Sequence, residues 1–272
     1  MGLTIIPRSA TDDATLSSVP AAVASLPVGN LQLSDRGLVA RWTATSVEVK
    51  ANLPTPRRVG GVVLWRHKLT TAATWRVRIY DGVDFTGALQ WDSAVTPAVP
   101  AKTLGDLDWG IDPLGAPIDG ADYSYLTLPA DVVCRSVRID IVDAASTSIE
   151  IGRLFAGPLI RPEHGFAWDS ELSWERETTR SRMAGGGLRV ESTPPWRRLR
   201  LQLEWITDDE RSAFANLLRD TGDSREMWLS ARGGAGGRLE ADHALLGVLA
   251  TNAPLTRRQG FRHTLPIDIE EA

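Results

Sequence analysis

Between Thr74 and Tyr80 the chain reads Thr-Trp-Arg-Val-Arg-Ile-Tyr, an unbroken alternation that suits an extended strand and no helix. Successive side chains of a strand point to opposite faces, so Trp75, Val77 and Ile79 share one face and Arg76, Arg78 and Tyr80 the other. The same pattern returns at 196–206. There Trp196, Arg198, Arg200, Gln202 and Glu204 take one side, and Leu199, Leu201, Leu203 and Trp205 the other. The run Val62-Val63-Leu64-Trp65, preceded by Gly60-Gly61, is apolar throughout and suits a strand buried on both faces. Strands are also expected at 38–43, 46–53, 59–67, 88–91, 123–128, 136–142 and 148–157. Short strands at this spacing predict an antiparallel β-sandwich.

The chain divides, on this reading, into an extended arm at 1–36, broken by Pro7, Pro20 and Pro27, and a sandwich at 37–157. A linker at 158–165 containing Pro158 and Pro162 leads to a second module at 166–272. That module is expected to hold strands at 168–176, 188–191, 196–206, 225–230, 245–251 and 260–269. Polar residues 178–187 separate the first two, and 233–237 form a flexible glycine-rich loop. One helix is expected, about 208–220. Thr207 is a good N-cap, Glu210 three residues on completes a capping box, and Phe214, Leu217 and Leu218 form an apolar stripe.

Composition excludes several classes. Hydrophobic residues make up 43% and charged residues 24% of the 272, the values of a globular chain with a core. No apolar run has the roughly 18 residues of a membrane span. Residues 1–20 lack a basic stretch followed by an apolar one, so no secretory signal is expected. The net charge of −4 is spread evenly, and basic residues occur singly or in pairs such as Arg57 and Arg58, Arg197 and Arg198, Arg257 and Arg258. A phosphate backbone needs a stripe, so neither nucleic acid nor membrane insertion is expected. Only three basic residues are lysines, and ten tryptophans exceed what one core needs. Arginine and tryptophan are both enriched at protein interfaces.

Catalytic and metal signals are absent. Cys134 is the lone cysteine and lies in an apolar run, which suits a buried thiol. His67, His164, His243 and His263 are isolated in sequence, and no second ligand stands at metal spacing. Asp106, Asp108, Asp112, Asp119 and Asp122 crowd one loop but match no calcium-binding spacing, and a solvated loop is the expectation. Neither Gly185-Gly186-Gly187 nor the 233–237 run joins a strand to a helix as a phosphate loop does. A glycosidase needs two carboxylates across a cleft, and no motif supports them. No cofactor and no enzyme activity are expected. Trp91 and Trp109, set among prolines, glycines and aspartates, are the candidate ligand or partner contacts.

Two stretches of the first module, VVLWRHKLTTAATWRVRIY at 62–80 and the closing pair RSVRIDIVD and IEIGRLFAG, resemble the galactose-binding-like, discoidin-type jelly rolls. The second module, through RRLRLQLEWITDDERSAFANLL and SREMWLS, resembles the tail-tube-like split barrels of long-tailed bacteriophages, including distal and minor tail proteins. The resemblance implies a mainly β protein, a jelly roll followed by a split barrel with one helix. In distal tail proteins the ring barrel usually comes first; here it comes last. The implied role is structural, as a homo-oligomeric ring at the tail tip in the virion, made in the host bacterial cytoplasm. The implied partners are copies of itself and the tube, hub and tape-measure proteins. The alternative is an adhesin module whose loop tryptophans stack on a host surface glycan. A hydrolase with unrecognised carboxylates is the third reading.

Overall fold

A computed structural model describes residues 2–183, 185–257 and 262–272. Arg258, and the expected start of the last strand at Gly260, lie outside the described residues. The fold is mainly β and antiparallel, with two α-helices among the described residues, the expected Asp208–Thr221 and a short second one at Gly237–Asp242. The chain forms two compact units, Met1–Arg161 with Glu226–Ala244, and Pro162–Arg225 with Leu245–Ala272. This division differs from one made at 158–165 alone, because a segment from the C-terminal half belongs to the first unit.

The first unit is built on two long strands, Ser46–His67 and Tyr123–Val142, each running through both layers of a sandwich. The expected breaks at 54–58 and 129–135 are bends within these strands. Pro54 and Pro56 donate no hydrogen bond, and the register shifts between Asn52 and Arg57 and again between Val59 and Gly61. Before the bend, residues 46–52 pair with 136–142 and with Thr15–Val19; 136–142 in turn pairs with Thr74–Tyr80, whose other edge holds Leu89–Asp92 and Thr96–Pro97. After it, residues 61–67 lie between 123–127 and Ile149–Gly157, which also holds Ala40–Trp42. Val47, Val49, Val62, Leu64, Val77, Ile139 and Leu154 fill the space between the layers.

The second face of 61–65 is covered too. Gly2–Ile6 is no free arm: it pairs antiparallel with Met227–Gly233, more than 200 residues away in sequence. Ile6 closes on Gly61, where an added Cβ would come within 2.7 Å of its Cδ1. Trp65, Tyr123, Tyr125 and Trp228 form a continuous chain of ring contacts, 5.7, 6.2 and 4.7 Å between centroids. Arg153, itself buried, ties the cover down by ion pairs to Glu226 and Asp12 at 2.9 Å each.

The second unit holds an antiparallel sheet in the order Glu171–Glu175, Trp196–Ile206, His263–Glu271, with Ala244–Leu249 and Thr256–Arg257 on the far side of the last. Leu199, Leu201 and Leu203 are buried as the alternation expects, but Trp205 is not. A register shift between Leu203 and Ile206 turns Ile206 inward instead, and Arg262 sits 4.0 Å over the exposed indole. The helix Asp208–Thr221 begins with the capping box: Thr207 N donates to Glu210 Oε2 at 2.9 Å, and Glu210 N to Thr207 Oγ1 at 3.4 Å. Its Phe214 and Leu217 are buried, and Leu218 is half-buried. A second departure concerns 178–187, expected as a polar connection. Thr178–Arg182 is a strand that, among the described residues, pairs only with Leu188–Ser192 in a two-stranded hairpin.

Candidate functional site

In the first unit, the strand Ser46–His67 ends on His67, which lies against Ser124 with Nε2 2.7 Å from Oγ. A serine–histidine pair suggests a nucleophile and its base. The hydrogen bonds run the wrong way. Leu69 N–H donates to His67 Nδ1, so the ring proton is on Nε2 and is given to Ser124 Oγ, whose own proton goes to the carbonyl of Ala98. Burial also pushes the His67 pKa down to about 4, so the ring stays neutral. The pair stitches the long strand to the 98–100 segment. Cys134 is equally inert: it is buried, and burial raises its pKa to about 12.

Next to Ser124 an open cleft is lined by Pro97 to Pro100, Tyr123, Tyr125, Gly236, Gly237 and Glu240. Its polar groups are already committed. Glu240 accepts from the Tyr125 hydroxyl through Oε1 and from Gly236 N through Oε2 at 2.7 Å. Burial and this carboxylate together hold the Tyr125 hydroxyl protonated far above its ordinary range. Sequence reading missed these pairs because 125 and 240 lie in different halves of the chain.

The aspartate loop is organised by its own side chains. Asp112 bonds Lys102 Nζ at 2.7 Å, and Asp106 accepts from Thr103 Oγ1 and from Arg238 N. Both carboxyls are held below the ordinary aspartate range, Asp112 chiefly by Lys102 and Asp106 chiefly by Thr103. Among the described residues no group of three or more His, Cys, Asp or Glu side chains could hold a metal ion. Asp108 and Asp119 make no side-chain hydrogen bond among the described residues. Between them Trp109, Ile111 and Leu114 are each about 80% exposed (79%, 81% and 79%). Trp91 is placed differently: it pairs opposite Ile79 and packs half-buried against the sandwich core.

In the second unit the solvent face of the sheet is a lattice of cross-strand ion pairs. Arg198 spans both oxygens of Asp268 at 2.8 Å, with Glu175 at 3.2 and Glu270 at 3.1 Å. Arg200 adds Glu171 and Asp268. These carboxylates satisfy the arginines that the alternation placed there.

The hairpin is the exception. All ten residues of its strands are exposed. The register pairs Arg180 with Val190 and Arg182 with Leu188, which puts these four side chains on one face. Leu188 is 59% and Val190 52% exposed, and neither the Arg180 nor the Arg182 side chain makes a hydrogen bond or ion pair among the described residues. On the other face Arg189 pairs with Glu191.

No protein-family model matches the chain. No curated protein matches it either. Among solved structures it is similar to the family 32 CBM from C. perfringens NanJ in complex with galactose, at 11% identity over 58% of this chain and 99% of that one, TM-score 0.40. A Streptococcus pneumoniae fucose binding module gives 8% identity over 55% of this chain and 94% of that one, TM-score 0.38. A Ruminococcus gnavus GH29 fucosidase in complex with fucose gives 10% identity over 54% of this chain, TM-score 0.37, and the match spans only 25% of the fucosidase. All three TM-scores lie below 0.5.

Proposed function

We propose that the chain is a non-catalytic structural subunit of a bacteriophage tail, working by contact with other protein chains in the virion. The observation that carries an assembly role is the hairpin Thr178–Arg182 with Leu188–Ser192, exposed along its whole length with two aliphatic side chains on one face. An isolated two-stranded ribbon is marginal in water, and exposed apolar faces mark interaction sites. The resemblance to tail barrels supplies the assembly, and the Ser124, Cys134 and Glu240 geometry argues for binding over catalysis. Tail particles purified from the native host test the reading by mass spectrometry. Stoichiometric presence of the chain is expected, and its absence from intact particles overturns the proposal.

A second reading has one observation in its favour. Trp109 presents an exposed indole between Asp108 and Asp112, a stacking face with carboxylates close in sequence, as sugar sites use. In this reading the first unit recognises a host surface glycan. Glycan-array binding that disappears in Trp109→Ala supports it, and an array with no signal for the folded protein removes it.

A further inference from the structure

We infer that the basic hairpin of one copy docks on the acidic loop of a second copy, a head-to-tail contact between two different surfaces of the same chain. The inference rests on the assembly reading and names the partner surface within it. Two observations carry it. Residues 176–192 hold four arginines against two glutamates, and the hairpin's apolar face bears Arg180 and Arg182 with no carboxylate partner among the described residues. Elsewhere strand arginines meet acids: Arg78 with Asp140, Arg138 with Glu48, Arg198 with Asp268. Residues 100–122 hold five aspartates against one lysine, with Asp108 and Asp119 flanking the exposed Trp109, Ile111 and Leu114. Each surface thus pairs exposed apolar groups with an excess of one charge, because Lys102 alone faces Asp108, Asp112 and Asp119, and the signs of the two excesses are opposite.

Opposed charge fixes partner choice and register, while the apolar groups gain by leaving water. A contact between unlike patches is heterologous, so copies add in one direction and close into a ring or continue as a filament. A hairpin-to-hairpin contact would instead bring Arg180 and Arg182 against their own copies.

Charge exchange in the full-length chain tests this. Sedimentation velocity over a range of concentration is expected to show self-association of the wild type that weakens with salt. Arg180→Glu with Arg182→Glu, or Asp108→Arg with Asp119→Arg, is expected to raise the dissociation constant by at least about tenfold. All four substitutions in one chain restore association, because the exchanged charges again oppose. Circular dichroism and melting temperature check that each variant folds. A wild type that stays monomeric at every concentration means that a different protein occupies the hairpin, and overturns the proposal. So does a fourfold variant that stays apart, which would point to like surfaces meeting. Either result leaves the presence of the chain in tail particles as a separate question, so the two failures are distinguishable.

Discussion

Residues 61–65 and the hairpin at 178–192 are both antiparallel β, yet one is sealed on two faces and the other on none. In the first, Val62 and Leu64 enter the sandwich, while Val63 and Trp65 are buried on the other face, where Ile6 closes on Gly61 and Trp65 begins the ring chain that ends on Trp228. In the second, cross-strand hydrogen bonds and an Arg189–Glu191 pair hold the strands together among the described residues. Strand pairing alone is therefore no measure of stability. Burial of apolar surface supplies most of the driving force, and the proposed docking on a second copy would supply it to the hairpin.

The largest contrast is expected from truncation. Trp65→Ala removes a buried indole and leaves a cavity, which costs about 3–5 kcal/mol in equilibrium denaturation. Val190→Ala, in the dilute monomer, changes stability by no more than about 0.5 kcal/mol. Equal costs would abolish the distinction between the two regions.

Acidity gives the next effect. His67 is neutral in the folded chain down to about pH 4, whereas in the unfolded chain it takes up a proton below about 6.5. The unfolded state then binds more protons, so stability falls as pH drops from about 6.5 to about 4 and is unaffected by this group above that window. The full loss is on the order of 3 kcal/mol. His67→Gln, which keeps a donor toward Ser124, is expected to flatten the melting temperature against pH; an unchanged slope would assign the loss to other groups.

At the helix of the second unit, Thr207→Ala removes the reciprocal cap and costs about 1 kcal/mol, with Thr207→Ser largely restoring it. The smallest effect belongs to the hairpin again. Arg180→Glu with Arg182→Glu leaves the melting temperature of the dilute protein nearly unchanged, because neither side chain has a partner among the described residues to lose.

What the sequence made legible follows from period and local chemistry. The alternation at 74–80, the double burial of 62–65 and the capping box at 207–210 each act over a few residues, and each is present in the fold. Long-range effects were hidden. Nothing local says that residues 2–6 lie beside 228–233, that Arg153 meets Glu226, or that Tyr125 meets Glu240. The strand Thr178–Arg182 escaped for the opposite reason: Thr-Thr-Arg-Ser-Arg has no dry face, so it lacks the signal that identifies strands. Trp205 was misplaced by one shift of register, which inverts every side chain beyond it. Of the two candidate tryptophans, Trp91 packs on the core and Trp109 faces solvent, a difference that composition alone does not carry.

Amide hydrogen exchange, followed at increasing protein concentration, measures the contrast between the two regions directly. Amides of 61–65 are expected to be protected at all concentrations, while those of 178–182 and 188–192 exchange freely in dilute solution and slow as copies meet. Hairpin amides already protected in the dilute monomer, or still unprotected in the assembled particle, would contradict the claim that this ribbon is completed by another chain.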